Sequence, residues 1–88
     1  MTECDAQIVN QLGLHARPAA QLVRVAAGFA CEIRLEKDGM EVNGKSIMGV
    51  MMLAAEFGST VRIRADGPQE TEAAAALCAL VAEGFGEA

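Results

Sequence analysis

The sequence predicts an α+β fold, an open-faced two-layer sandwich with three helices on one face of a four-stranded antiparallel sheet. Three observations predict it. Apolar and polar residues alternate in short runs, most clearly at Cys31, Ile33 and Leu35 against Glu32, Arg34 and Glu36, as in strands with one wet face. Between these runs the apolar period lengthens to that of a helix, as at Ala19, Leu22, Val23 and Ala26, one apolar stripe. The chain has only 88 residues. That length predicts a single domain over 1–88 with one modest core, burying a little over about 60% of its unfolded surface.

The elements follow in the order β-α-β-β-α-β-α. Residues 3–9 alternate loosely, with Cys4, Ala6 and Ile8 on one side, a weak strand signal. Asn10-Gln11-Leu12-Gly13 reads as a loop. A helix starts at Ala16, and Gly28 is placed to end it. The strand from Cys31 turns at Lys37-Asp38-Gly39 and returns through Met40 and Val42, a hairpin whose turn exploits glycine's access to positive φ. Ile47 to Ala55 is an apolar stretch read as a short helix with Ser46 as its N-cap. Val61, Ile63 and Ala65 alternate with Thr60, Arg62 and Arg64 in a fourth strand. Asp66-Gly67-Pro68 turns the chain into a last helix, with Pro68 acceptable at its start and Glu70 and Glu72 in its first turns. Its inward face is predicted to be Ala73, Ala76, Leu77, Leu80, Val81 and Gly84, with a frayed end of no assigned role at 83–88.

Composition removes several functions. Twelve acids against seven bases give a net charge of −5, and there is no Trp or Tyr. Nucleic-acid binding needs clustered bases and, for single strands, stacking aromatics. Cys4, Cys31 and Cys78 are odd in number, widely spaced and without a CxxC, so three reduced thiols are expected rather than a disulfide framework or a metal site. The N-terminus has no basic region followed by an apolar stretch, and no apolar run reaches the length of a membrane span. A cytoplasmic protein follows, with no membrane contact.

Chemistry concentrates in Gly13-Leu14-His15-Ala16-Arg17-Pro18-Ala19. His15 is the only histidine, and it falls where loop becomes helix. The free backbone N–H groups of Ala16 and Arg17 and the positive end of the dipole lie beside the ring. A helix N-terminus favours the neutral, nucleophilic imidazole. It also receives phosphate through those N–H groups, and Arg17 adds a guanidinium suited to phosphate oxygens. A lone histidine at a helix start is more often a cap or a surface residue than a nucleophile. The helix surface shifts the balance: Arg17, Ala20, Gln21 and Arg24 share the face opposite the apolar stripe, a basic patch on an acidic protein that steers acidic partners toward the ring.

Gly39 to Ser46 matches a phosphate-binding GxxxxGKS loop. Met40-Glu41-Val42-Asn43 reads instead as a strand, and the chain has no room for a parallel nucleotide sheet, so nucleotide binding is rejected. Ser46, beside Lys45, is a plain N-cap or a modification site, since a phosphate there meets the helix dipole. Ile47, Met48 and Met51 form an exposed apolar patch suited to several partners, or else belong to a buried short helix, as Val50 and Leu53 should.

Taken together, these segments resemble the HPr family, the histidine-containing phosphocarriers of the bacterial phosphoenolpyruvate-dependent sugar phosphotransferase system. The resemblance rests on Gly13–Ala19 and on Lys45-Ser46-Ile47-Met48-Gly49-Val50-Met51, in order, over essentially the whole chain. It implies that His15 accepts phosphate at Nδ1 from phosphorylated Enzyme I and passes it to the A domain of an Enzyme II. Arg17 would then help hold the group, and Ser46 match the residue modified by HPr kinase/phosphorylase. Docking falls to Ala20, Arg24, Lys45, Ile47, Met48 and Met51. The family fold is the sandwich already predicted. No cofactor or metal is implied, and the protein is a carrier with a phosphohistidine intermediate, expected to be monomeric, rather than a stand-alone catalyst. A carrier of the nitrogen-related branch, acting on regulators, fits the same residues. An α+β interaction domain with a structural His15 is the reading outside the family, and a metallochaperone fails for want of paired ligands.

Overall fold

Alternation decides which way the sheet faces, and the strands pair so that their apolar sides align. The computed structural model describes residues 1–87. They form β1 (Thr2–Gln7), α1 (Ala16–Ala27), β2 (Glu32–Lys37), β3 (Met40–Asn43), α2 (Ile47–Met52), β4 (Thr60–Asp66) and α3 (Glu70–Ala82), with a 3-10 turn at Gly84–Gly86. The sheet runs β1-β4-β2-β3, every pair antiparallel. Cys4 opposes Ile63, Ile63 opposes Leu35 and Leu35 opposes Val42, one apolar row across all four strands. The three helices cover this face, the architecture the periodicities predict.

The other face is wet and charged. Arg64 reaches Glu3 at 2.6 Å, Glu41 at 2.6 Å and Glu36 at 3.0 Å, and Arg62 reaches Asp5 at 2.9 Å. The hydrogen bond from Arg62 holds the Asp5 carboxyl below the usual carboxylate range. Exposed pairs of this kind add little stability, because water and salt screen them. Their effect is to keep the open face in water.

Between sheet and helices lie Ile8, Leu22, Ile33, Leu35, Ile63 and Leu77, all without solvent exposure. From α1 the buried residues are Pro18, Ala19, Leu22 and Ala26, with Val23 only half-buried. From α3 they are Ala73, Ala74, Leu77 and Val81. Alanines on both helices allow close packing against the strands.

Several details depart from the sequence expectations, each for a local reason. Helix α2 ends at Met52 rather than Ala55, because Ala54 is left-handed at φ 51° and the Ala55 carbonyl turns away to accept the Leu14 N–H at 2.9 Å. Gly28 closes α1 in the right-handed region at φ −75°, through its N–H to the Val25 carbonyl. Pro68 precedes the last helix, which begins at Glu70 behind a left-handed Gln69. On that helix Ala74 is buried, while Ala76 and Leu80 are only half-covered.

Two corrections matter more. Cys4 and Cys78 are joined in a disulfide, not reduced, and Cys31 alone is a free, buried thiol. Spacing hid the pair because β1 lies under α3, which brings Cα atoms 74 positions apart in sequence to 6.7 Å, within bridging range. Nor is the C-terminal end frayed through residue 87: Phe85 is buried at 4% exposure, and Glu87 is engaged, as described below. Ala88 lies outside the described residues.

Candidate functional site

The loop before α1 sets the site. Gly13 has φ 68°, and a Cβ added there would lie 2.6 Å from the Ala55 carbonyl oxygen, so only glycine fits this close approach. Asn10, 2% exposed, donates its Nδ2 to the Gly13 carbonyl at 2.7 Å. This packing delivers His15 to the N-cap of α1 in an extended conformation, φ −78° and ψ −171°.

Among the described residues no side chain caps α1. The first helical bond is Ala19 N–H to the His15 carbonyl, at 3.0 Å. The N–H groups of Ala16 and Arg17 therefore have no intrahelical partner, and both residues are exposed. Next to them the His15 side chain is about one-third exposed. Its Nε2 lies 3.0 Å and 3.3 Å from the two carboxylate oxygens of Glu87, whereas Nδ1 has no hydrogen-bond partner among the described residues.

Glu87 is the residue that sequence reasoning missed. Burial pushes its carboxyl up, but the hydrogen bonds from His15 and Asn10 and the charges of His15 and Arg17 outweigh this and hold it below the usual range. Asn10 Nδ2 also donates to Glu87 Oε1 at 3.0 Å. His15 and Glu87 are 72 positions apart, and no local pattern links them. The helix dipole considered alone left this negative charge out.

Cation placement sharpens the electrostatics. Arg34, Lys37, Arg62 and Arg64 pair with acids on the open sheet face or its hairpin turn. Arg17 and Arg24, both on α1 and exposed, have no acidic partner within ion-pair distance among the described residues. The helix bearing His15 thus carries two of the three basic side chains that form no ion pair among the described residues, the third being Lys45. Lys45 Nζ donates to the Phe29 carbonyl at 2.7 Å, just past the C-terminal end of α1.

Ser46 caps α2 as predicted, its Oγ accepting the Gly49 N–H at 3.1 Å. Val50 and Leu53 are buried, while Ile47, Met48 and Met51 are 44%, 76% and 42% exposed. Helix α2 packs against α1, and Ala20 is half-buried. Met40–Asn43 is strand β3, so the apparent phosphate-loop pattern is a hairpin strand. No group of acids, His and Cys fit to hold a metal occurs among the described residues, and no helix among them is long and apolar enough to cross a membrane.

An exposed imidazole at an uncapped helix end, amid unpaired arginines, can accept and release an anionic group. Comparison with known proteins agrees with that chemistry. The family described as PTS HPr component phosphorylation site matches residues 2–83. The chain is 52% identical over 87 residues to the phosphocarrier protein HPr of Cupriavidus necator, covering 99% of this chain and 98% of that one. It is 43% identical over 82 residues to the phosphocarrier protein NPr of Escherichia coli, covering 92% and 91%. A crystal structure of HPr from Thermoanaerobacter tengcongensis superposes with a TM-score of 0.95 at 46% identity, covering 100% and 99%. A structure of an HPr dimer from that organism gives 0.79 at 47% identity, covering 99% and 100%. Matched along almost its whole length in sequence and in fold, the chain belongs to the HPr family, the phosphocarriers of the phosphotransferase system.

Proposed function

We propose that residues 1–88 act as one HPr-like domain, a cytoplasmic and monomeric carrier that takes a phosphoryl group from phosphorylated Enzyme I onto His15. The group then passes to the A domain of an Enzyme II. The observation that carries this reading is the ring's position: His15 stands at an uncapped helix N-terminus with the Ala16 and Arg17 N–H groups free beside it. The nucleophile is Nδ1, because Nε2 is already held. Its lone pair attacks phosphorus, the N–P bond forms, and the bond to the donor breaks with its electron pair returning to the donor. The N–H groups of Ala16 and Arg17 and the Arg17 guanidinium receive the phosphoryl oxygens. Phosphoimidazole is labile, so positioning supplies most of what either direction of transfer needs.

Partners dock on α1 and α2. Ala20 and Arg24 supply the α1 side, and Ile47, Met48 and Met51 supply adaptable apolar contacts. Lys45, tied to the Phe29 carbonyl, contributes charge only at the far edge. Phosphorylation of Ser46 by an HPr kinase/phosphorylase adds roughly two negative charges to this face and slows loading of His15 by repelling Enzyme I. An unchanged loading rate in Ser46→Asp would remove that regulatory role. The nitrogen-related branch is the second reading, since the chain is also similar, at 43% identity, to NPr.

The test is a relay. Chain loaded from labelled phosphoenolpyruvate is purified and mixed with an Enzyme II A domain from a sugar transporter or with a lone regulatory A domain. Label moving to the transporter domain faster than to water supports sugar uptake, and movement only to the lone domain supports the regulatory branch. Discharge to water alone would overturn both.

A further inference from the structure

We propose that Glu87 is a positioning residue for phosphoryl transfer, holding His15 in the tautomer that attacks through Nδ1; the inference rests on the carrier reading of His15. A carboxylate only accepts hydrogen bonds. With both Glu87 oxygens at 3.0 and 3.3 Å from Nε2, that nitrogen carries the proton, and in the neutral ring the free lone pair resides on Nδ1. The second partner of an imidazole fixes its tautomer and its rotation.

Glu87 is itself held. Phe85, buried at 4% exposure, pins the chain two residues upstream, and Gly86 turns it at φ 75°. The Asn10 side chain bridges Glu87 and the Gly13 carbonyl, 3.0 and 2.7 Å away. The loop that presents His15 and the segment that presents Glu87 are therefore locked to one another. As the Nδ1–P bond forms, the ring becomes positive, because the Nε2 proton stays where it is and the departing electron pair leaves with the donor. The carboxylate faces this growing charge. Arg17, close enough for its charge to act on Glu87, offsets the repulsion between that carboxylate and the incoming phosphoryl group.

The experiment compares wild type, Glu87→Gln and Glu87→Ala by two readouts. Two-bond proton–nitrogen correlations of the His15 ring, recorded well above the ordinary imidazole pKa, report the tautomer, and His15 is the only histidine to assign. Single-turnover loading at saturating phospho-Enzyme I reports the rate. Wild type should show the Nε2–H form. Glu87→Gln keeps an acceptor oxygen, so it should retain that form while loading about fivefold more slowly, for loss of the charge. Glu87→Ala should let the Nδ1–H form appear and slow loading about tenfold. An unaltered tautomer pattern in Glu87→Ala, or loading as fast as wild type, overturns the proposal. A tautomer change in a chain whose wild type takes no phosphate overturns the carrier reading and leaves the hold on the ring standing.

Discussion

Replacing Gly13 by alanine should cost far more than the same change at Gly39, although both glycines have positive φ, 68° and 83°. At Gly39, in the hairpin turn, an added Cβ meets nothing within 4 Å. The penalty there is the left-handed strain of about 1–2 kcal/mol, reduced by the roughly 0.4–1 kcal/mol that alanine removes from the unfolded chain's entropy. At Gly13 the same strain applies, and the Cβ also lies 2.6 Å from the Ala55 oxygen and 2.9 Å from the Glu56 Cα. Both are backbone atoms, so the loop has to move. The Ala55 oxygen accepts the Leu14 N–H, and Leu14 is 5% exposed; leaving that donor unsatisfied costs about 1–3 kcal/mol. Gly13→Ala should therefore destabilise by about 3 kcal/mol, lowering Tm by roughly 12–24 °C in a domain of this size. Gly39→Ala should cost about 1 kcal/mol or less. Urea and thermal unfolding of both variants, with the disulfide state held fixed, measure the difference. A Gly13→Ala stability within about 0.5 kcal/mol of Gly39→Ala would refute the close-approach argument.

Other outcomes follow from single contacts. Glu70 is lowered to about 2 by the N-terminal ammonium first, then by Thr2 and the Gly67 N–H. A carboxyl lowered on folding stabilises above its ordinary value, near 4.5, and loses that contribution as pH falls through about 2. Glu70→Gln should flatten acid unfolding in that window, and an NMR titration of Glu70 with a midpoint near 4.5 would contradict the contacts. Ser46→Ala removes the cap on the Gly49 N–H and should cost about 1 kcal/mol in denaturant unfolding, whereas Ser46→Asp, able to cap, should not. The Cys4–Cys78 bridge closes a segment with a separation of 74 residues, for which the chain-entropy account gives up to about 4 kcal/mol. Intact mass should show the chain two hydrogens lighter than its reduced form, and the Cys4→Ser, Cys78→Ser double variant should melt lower. A melting point indifferent to reductant would contradict a stabilising bridge.

What the sequence made legible was local. Strand alternation at 31–36 and 60–66 and the stripe of α1 each depend on neighbours a few positions away, as does the Ser46 cap, and these elements stand where the periodicities predict. His15, Ala16 and Arg17 were legible for the same reason, since a helix start and its free N–H groups are defined within one turn. Features made by the tertiary fold were not. Glu87 meets His15 only because α3 carries the chain back across the loop, and Asn10 looks like any loop polar residue until Gly13 and Glu87 converge on it. Cys4 and Cys78 carry no spacing signal. Nor does any local pattern signal the bond from Lys45 to the Phe29 carbonyl, 16 positions away.

The most direct test of the central claim loads the protein from phosphoenolpyruvate with a bacterial Enzyme I and reads intact mass before and after mild acid. The account predicts a gain of one phosphate that acid removes, absent in His15→Ala, with no other histidine to accept it. No gain with either a general Enzyme I or the host's own, or a gain that survives in His15→Ala, would contradict it.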